Sequence, residues 1–357
     1  MKKLKRQWQY HLMLLPGVIL IFIFAYIPLY GVIIAFEDYN PALGFASPWV
    51  GMKHFQYIFS QPAFLRTIWN TFFIAVMKLI GGIVVPVIFA LLLNELVSNR
   101  LKRIFQTLIY IPNFLSWVIM AGVLMDILAN NGIINQFLGF FGMDAVNFLG
   151  NASVFPWTMI VTDIWKGFGF GTVVYLAALT SIDPGLYESA ILDGATRWQQ
   201  IRYITLPLLM PTIILMLVLA LGNVLNAGFD QIFNLYSPIV YQTGDIIDTY
   251  VYRLGIQQAQ YSVGAAIGLF KSAVSAVLVL TSYILADKCA GYKIFRRKEM
   301  QYKTRANRIF HFVNIFILAV VSLLCVLPFI NLLAISFSDS AAVAAGAVGF
   351  TPVDFTL

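Results

Sequence analysis

Apolar residues along the chain fall into long runs, and each run stops at a short stretch rich in Gly, Pro, Asn or Asp. Seven runs are long enough to cross a bilayer core of about 30 Å as a helix. They cover 11–36, 68–94, 104–129, 155–181, 203–229, 262–286 and 309–337. The segments between them, such as 40–48 and 129–150, carry the turn-forming residues expected of loops or interfacial turns. The pattern predicts an all-α, polytopic helical membrane protein.

Composition agrees with that pattern. Hydrophobic residues make up 60% of the 357 positions and charged ones 11%, against roughly 45–50% and about 25% in soluble domains. The apolar stretch beginning near Leu12 follows the basic residues Lys2 to Arg6 and is too long for a signal-peptide core of about 7–15 residues. It is expected to remain as a first span.

Basic residues set the orientation, because those near span ends stay on the cytoplasmic side. With the N-terminus inside, seventeen fall in cytoplasmic segments, at 2–6, 100–103, 197–202 and 288–308. Three fall outside: Lys53, Arg66 and Arg253. The net charge of +7 is thereby accounted for without invoking a nucleic-acid partner.

Several chemistries lack their residues. Cys289 and Cys325 form no CxxC pair, and His11, His54 and His311 are isolated, so neither a disulfide framework, a metal site nor a histidine-based catalytic site is supported. Lys271-Ser272 follows Phe270 instead of the glycine that a phosphate-binding loop requires. No cofactor is implied. Asn151-Ala152-Ser153 has the form of a glycosylation sequon.

The stretch between the fourth and fifth runs, on the cytoplasmic side, is the most informative. Asp183 can cap a short helix that has Pro184 at its first position. That helix can run to about Asp193, where Gly194 allows a left-handed turn, and a second short helix then climbs toward the membrane. Small residues at Ser189, Ala190 and Ala195 would let another protein approach the backbone, and Glu188 offers an arginine a directional ion pair.

Glu188, Ala190, Asp193, Gly194, Ala195, Ile204, Leu206 and Pro207 stand at the spacing of the E-A-A…D-G-A…I-x-L-P cytoplasmic loop of ABC importer permeases, which this stretch resembles, with Ser189 in place of the commoner alanine. The resemblance implies a six-span permease core in a bacterial plasma membrane. In that family the loop docks in a cleft of a separate ATP-hydrolysing subunit, present as a dimer. Carried over, Glu188 would pair with a basic residue of the ATPase, Gly194 would supply the bend, and Leu206 and Pro207 would set where the fifth span begins.

The resemblance covers about residues 7–295 and points to the sugar-type permeases, particularly those serving lipoprotein-anchored oligosaccharide receptors. It is carried further by His11 to Gly17, Trp69-Asn70-Thr71, the run from Asn226 to Leu235 and that from Gly244 to Tyr252. The implied partners are a second permease forming a heterodimer, the ATPase dimer, an extracellular solute-binding lipoprotein, a carbohydrate and the surrounding lipid. Residues 296–308 form a basic linker, and 309–357 resemble the first span and external segment of a partner permease, so 1–295 is expected to be the complete transmembrane domain. An ion-coupled secondary transporter or a multi-span receptor would also show many spans, but neither predicts the loop.

Lys78, Lys166 and Lys271 lie inside spans, where each costs roughly 2.5–3.5 kcal/mol on insertion scales unless it faces protein or water. Asp163 and Lys166 are three apart, share a helix face and can neutralise one another. A structural ion pair and a place on the substrate path are both compatible with that spacing, and the role of Lys78 is open. Asn223 and Asn226 are expected to project from the fifth span near Asp230. Their polar groups could bind sugar hydroxyls, with Phe229, Phe233 or Tyr236 stacking on sugar faces. Interhelical hydrogen bonding accounts for the asparagines as well. The glycines at 167, 169 and 171, and at 264 and 268, read as close-packing surfaces.

Overall fold

A bilayer offers no partner to a bare N–H or C=O, so a chain this apolar has to close its backbone hydrogen bonds within its own helices. The computed structural model describes residues 22–222 and 224–289, together with 16, 17, 19, 20, 312, 315, 316, 319, 320, 323, 351 and 353. Among the described residues every regular element is helical, apart from one isolated antiparallel bridge between Glu37 and Trp49. The basic linker at 296–308 lies outside them, as does nearly all of the expected span at 309–337 and the segment beyond it.

In chain order the α-helices are α1 (Lys53–Ser60), α2 (Pro62–Asn94), α3 (Asn99–Tyr110), α4 (Trp117–Ile127), α5 (Ile133–Phe140), α6 (Phe155–Leu179) and α7 (Pro184–Leu192). There follow α8 (Arg197–Gln200), α9 (Leu206–Leu221), α10 (Phe229–Leu235), α11 (Tyr241–Gly244), α12 (Ile247–Val251) and α13 (Tyr261–Cys289). Among the described residues, three stretches are long and apolar enough to cross a membrane: α2, the run Arg197–Leu221 and residues Tyr261–Thr281 of α13. A fourth results if α3 and α4 are two halves of one broken span.

The span expected at 104–129 is bent. After α3 the chain passes through a tight 3-10 turn, Ile111–Phe114, and turns by 103° before α4. Pro112 has no N–H to continue an α-helix, and Ser116 starts a new one by accepting from the Ile119 N–H at 3.3 Å. The expected span at 155–181 is the 25-residue α6, about 37 Å long at 1.5 Å per residue. Asp163, Lys166 and its glycines leave it less apolar than the three crossing stretches. Of the first expected span, Phe22–Tyr26 form a π-helical turn and Ile27–Phe36 a 3-10 helix.

The fifth span departs from expectation at both ends. It starts earlier, because α8 runs through a π-helical turn at Ile201–Thr205 into α9, and it stops at Leu221. Asn226 therefore does not project from it. Asn223 lies outside the described residues.

The chain divides into two compact units, one formed by Met1–Ile68 with Ile246–Val274 and the other by Trp69–Asp245 with Ser275–Leu357. Ala35, Ile58, Phe64, Ile247, Tyr250, Val263, Ala266 and Ile267 make the core of the first. Here Gly264 is a close contact, since a Cβ on it would lie 2.8 Å from the Gly255 Cα, whereas Gly268 has open space beside it. Lys271 is paired with Asp248 at 2.5 Å.

Val87, Leu93, Phe105, Ile109, Phe168, Tyr175 and Leu209 lie in the core of the second unit, where α2, α3, α6 and α9 meet. A Cβ on Gly169 would sit 2.0 Å from the Ile109 carbonyl oxygen, and one on Gly171 3.1 Å from Pro86. Both glycines are therefore packing positions. Gly167 has nothing within 4 Å and is not.

Candidate functional site

The exposed loop folds as two short helices around one glycine. The Asp183 carboxylate accepts from the Gly185 N–H at 3.0 Å and caps α7, with Pro184 at its first position. Gly194 has φ +78°, a conformation that costs a side-chain-bearing residue steric strain. Beyond it the Ala195 N–H reaches back to the Ala190 carbonyl at 2.8 Å. Thr196 and Gln199 form a reciprocal capping box that starts α8.

Side chains brace this turn from beneath. Gln200 donates to the Ala195 carbonyl at 3.1 Å and accepts from the buried Arg197 guanidinium at 3.0 Å. The Tyr187 hydroxyl and the Thr205 hydroxyl lie 2.9 Å apart, tying α7 to the base of α9. Burial pushes the Tyr187 phenol above its ordinary pKa, with the Thr205 hydrogen bond acting in the other direction.

Outward from this brace, Glu188, Ser189, Asp193 and Gly194 are exposed, and Ala190 and Ala195 are half-buried. The Ser189 hydroxyl donates to the Gly185 carbonyl at 2.9 Å, so the departure from alanine adds no unsatisfied group. Leu206 is half-buried and Pro207 exposed at the start of α9. The face thus carries one glutamate amid small side chains, with exposed Leu186, Ile191 and Leu192 around it.

A second constellation lies among α2, α6 and α10. The Lys78 ammonium on α2 donates to the Ala227 carbonyl at 2.8 Å and to the Gln231 side-chain oxygen, and lies 3.4 Å from the Asp163 carboxylate on α6. Gln231 is buried and donates to the Met159 carbonyl at 2.9 Å and the Thr162 hydroxyl at 2.7 Å. Between them, Gly228 has φ +93°, and a Cβ there would sit 2.8 Å from the Lys78 Nζ.

The direct ion pair of Asp163 is therefore with Lys78, while its attraction to Lys166 acts at longer range. Lys166 instead donates to the Asn113 carbonyl at 3.3 Å and lies 5.0 Å from the Trp117 ring. Its reach is set by the α3–α4 bend, which brings Asn113 and Trp117 to α6. Asn226 and Asp230 are both exposed, Asn226 in the loop before α10 and Asp230 in its first turn.

Phe229 and Phe233 stack at 5.1 Å, Phe233 is 6.1 Å from Tyr236, and Tyr236 is 5.0 Å from Tyr241. The three rings singled out in the sequence thus lie in one aromatic run. A separate groove of about 440 Å³, lined by residues such as Leu124, Ile133, Phe148, Trp157 and Val161, holds none of the residues singled out there.

Sequence reasoning assigned no role to Gln231, Tyr187 or Gln200. For Gln231 a signal existed, since a neutral polar residue near an apolar span needs partners. For Tyr187 and Gln200 the role depends on neighbours from α9 and from the turn, which no local pattern reveals.

With this geometry in view, comparison with known proteins is specific. Residues 82–290 match the family model described as binding-protein-dependent transport system inner membrane component. The chain is 42% identical over 288 residues to the polygalacturonan/rhamnogalacturonan transport system permease protein YteP of Bacillus subtilis (strain 168), covering 80% of this chain and 90% of that one. It is 41% identical over 290 residues to the protein LplB of the same organism, covering 81% and 91%.

Among solved structures, a bacterial ABC transporter involved in the import of the acidic polysaccharide alginate matches with a TM-score of 0.74 and 42% identity, over 80% of this chain and 98% of that one. The alginate transporter in complex with an alginate pentasaccharide-bound periplasmic protein matches equally well, with a TM-score of 0.74 and 41% identity over 81% and 98%.

Proposed function

Because the chain belongs to the binding-protein-dependent transport system inner membrane components, we propose that it is the permease subunit of an ATP-driven importer that carries an oligosaccharide delivered by an extracellular binding protein. Family membership makes it a multi-pass membrane protein and a transport component, with ATP hydrolysis residing in a separate subunit. The names of the similar permeases and the alginate-bound neighbour support a carbohydrate cargo. A second permease completes the path as a heterodimer, and the N-terminus lies in the cytoplasm.

The observation that carries the coupling assignment is the exposed α7–Gly194–α8 turn. It offers a partner the Glu188 carboxylate, with Asp193 also exposed, beside backbone that small residues leave approachable, and a charge-assisted hydrogen bond from an arginine fits that offer. When the ATPase dimer closes, force on α7 passes through the Tyr187–Thr205 contact, and force on α8 through the unbroken run into α9. Glu188, Ser189, Ala190, Asp193, Gly194 and Ala195 form the docking face, and Leu206 and Pro207 mark where the moving span begins. Lys78, Asp163, Lys166, Asn223, Asn226 and Asp230 are the candidates for the path.

Reconstitution tests this directly. The chain, the second permease, the ATPase and the binding protein are co-expressed, purified and placed in liposomes. Oligosaccharide uptake is expected to require ATP and to rise with binding protein, along with ATP hydrolysis. Uptake that ignores ATP but follows an ion gradient would overturn this reading in favour of a secondary transporter.

A further inference from the structure

We propose that Gln200 and Thr205 are positioning residues that stiffen a weakened joint between α8 and α9, so that the docking turn and α9 move as one body; this rests on the coupling role of the turn proposed above. The joint is the π-helical turn Ile201–Thr205. The helix is continuous here, but the bond closing the turn runs from the Leu206 N–H to the Ile201 carbonyl, five residues back, where an α-helix would use the carbonyl of Arg202. Pro207 follows with no N–H, so the Tyr203 carbonyl four residues back receives no α-helical donor. Prolines and π turns are the places where helices bend. In this chain the two adjoin.

Side chains span what the backbone leaves weak. The Thr205 hydroxyl donates to the Gln200 carbonyl at 3.3 Å, bridging the π turn from its last residue to the residue before its first. A carbonyl only accepts, so that bond uses the one proton of Thr205, and the Tyr187 hydroxyl 2.9 Å away is the donor to Thr205. The hydrogen bonds therefore run in one direction, from α7 through Thr205 to Gln200. The Gln200 side chain extends them, donating to the Ala195 carbonyl at 3.1 Å and accepting from Arg197 at 3.0 Å.

Two links of different kinds result. Tyr187 ties α7 to Thr205, whereas the bond from Thr205 to Gln200 ties the start of α9 to α8 and, through Ala195, to the turn at Gly194. Gln200 and Thr205 are each 3% exposed, so water has little access to these bonds, and losing one leaves a buried polar group unpaired. Without the bridge, a push on the docking turn would bend the joint and α9 would lag behind it.

The test is the distance between spin labels at Trp198→Cys on α8 and Leu219→Cys on α9, exposed positions on either side of the joint, in a background lacking Cys289 and Cys325. It is measured on the complex in nanodiscs, without nucleotide and after trapping with ATP and vanadate. With no further change the labels are expected to give one narrow distribution that shifts by less than about 2 Å on trapping. Thr205→Val keeps the branched shape but removes both bonds. It should broaden the distribution in both states and enlarge the shift, and Thr205→Ser, which keeps the hydroxyl, should restore it. Tyr187→Phe should leave it narrow, because the Thr205–Gln200 bond spans the joint without it. A broad distribution in the unchanged joint overturns the proposal, and so does a narrow, unshifted one in Thr205→Val. Co-purification of the ATPase is measured on the same samples and should survive Thr205→Val, since the Glu188 face is untouched; its loss there would overturn the positioning role. A wild-type chain that holds no ATPase removes the coupling reading instead, while the nucleotide-free widths still decide the joint.

Discussion

Lys78 holds the Asp163 carboxylate at 3.4 Å while only 8% of its own side chain is exposed, against 34% for Asp163. The lysine is the deeply placed partner, and it also secures α10 through Gln231 and the loop before it through the Ala227 carbonyl. Replacing it by an apolar side chain strands three acceptors. Replacing Asp163 leaves an ammonium that still has two neutral ones.

Lys78→Met is accordingly expected to destabilise the purified complex by about 1–3 kcal/mol, the cost of leaving buried polar groups unpaired. Asp163→Asn should cost less, since its partly exposed carboxylate is screened by solvent. The double variant should cost less than the sum of the two, because the residues share one network. Denaturation midpoints of the three variants check this; strict additivity would argue against the pairing.

Glu188→Lys should abolish or strongly reduce co-purification of the ATPase, since it places a repulsive charge on the docking face. Gly194→Val acts through the backbone, because φ +78° is unfavourable for a β-branched residue. Its expected signature is loss of binding-protein-stimulated ATP hydrolysis with normal membrane insertion. Gly194→Asn should be milder, since asparagine tolerates the left-handed region better than valine. Unimpaired transport in both Glu188→Lys and Gly194→Val would remove the coupling role of the loop.

Tyr187 makes stability depend on alkaline pH. An unfolded tyrosine ionises near pH 10, while burial holds the Tyr187 proton to higher pH. Above about pH 10 the folded chain then binds more protons than the unfolded one, so stability falls as pH rises through that window. Tyr187→Phe should lack this part of the alkaline loss, and at neutral pH it should cost about 0.5–1.5 kcal/mol for the lost hydrogen bond to Thr205. Melting curves at neutral pH and above pH 10 separate the two effects.

Topology is testable at two exposed positions in a background lacking Cys289 and Cys325. Phe140 on α5 is 92% exposed and Leu192 on α7 is 89% exposed. In intact cells expressing the chain alone, Phe140→Cys should react with a membrane-impermeant thiol reagent and Leu192→Cys should not. The reverse pattern would invert the orientation assigned from the basic residues.

The helical membrane fold and the α7–Gly194–α8 turn were legible because their determinants are local. Long apolar runs need intrahelical hydrogen bonding whatever their neighbours are, and Asp183, Pro184, Gly194 and Thr196 act within one or two helical turns of where they stand. The bend at Pro112 carried a local signal too, since proline lacks a donor, but its 103° angle depends on what packs around it. The end of the span at Leu221 fell short of the apolar run, which continues through Val224 and Leu225; hydrophobicity marks what is buried and not whether it is helical.

The charge pairing was decided by tertiary structure alone. On one helix Asp163 and Lys166 are at contact spacing, and nothing in the order of residues brings Lys78 to Asp163. Packing of α2 and α10 against α6 does so, and the α3–α4 bend gives Lys166 Asn113 and Trp117 instead. The sequence by itself determined how many charges lie within the apolar helices. Which of them pair directly follows from distance and burial, because Coulomb attraction and desolvation act through space and take no account of chain order.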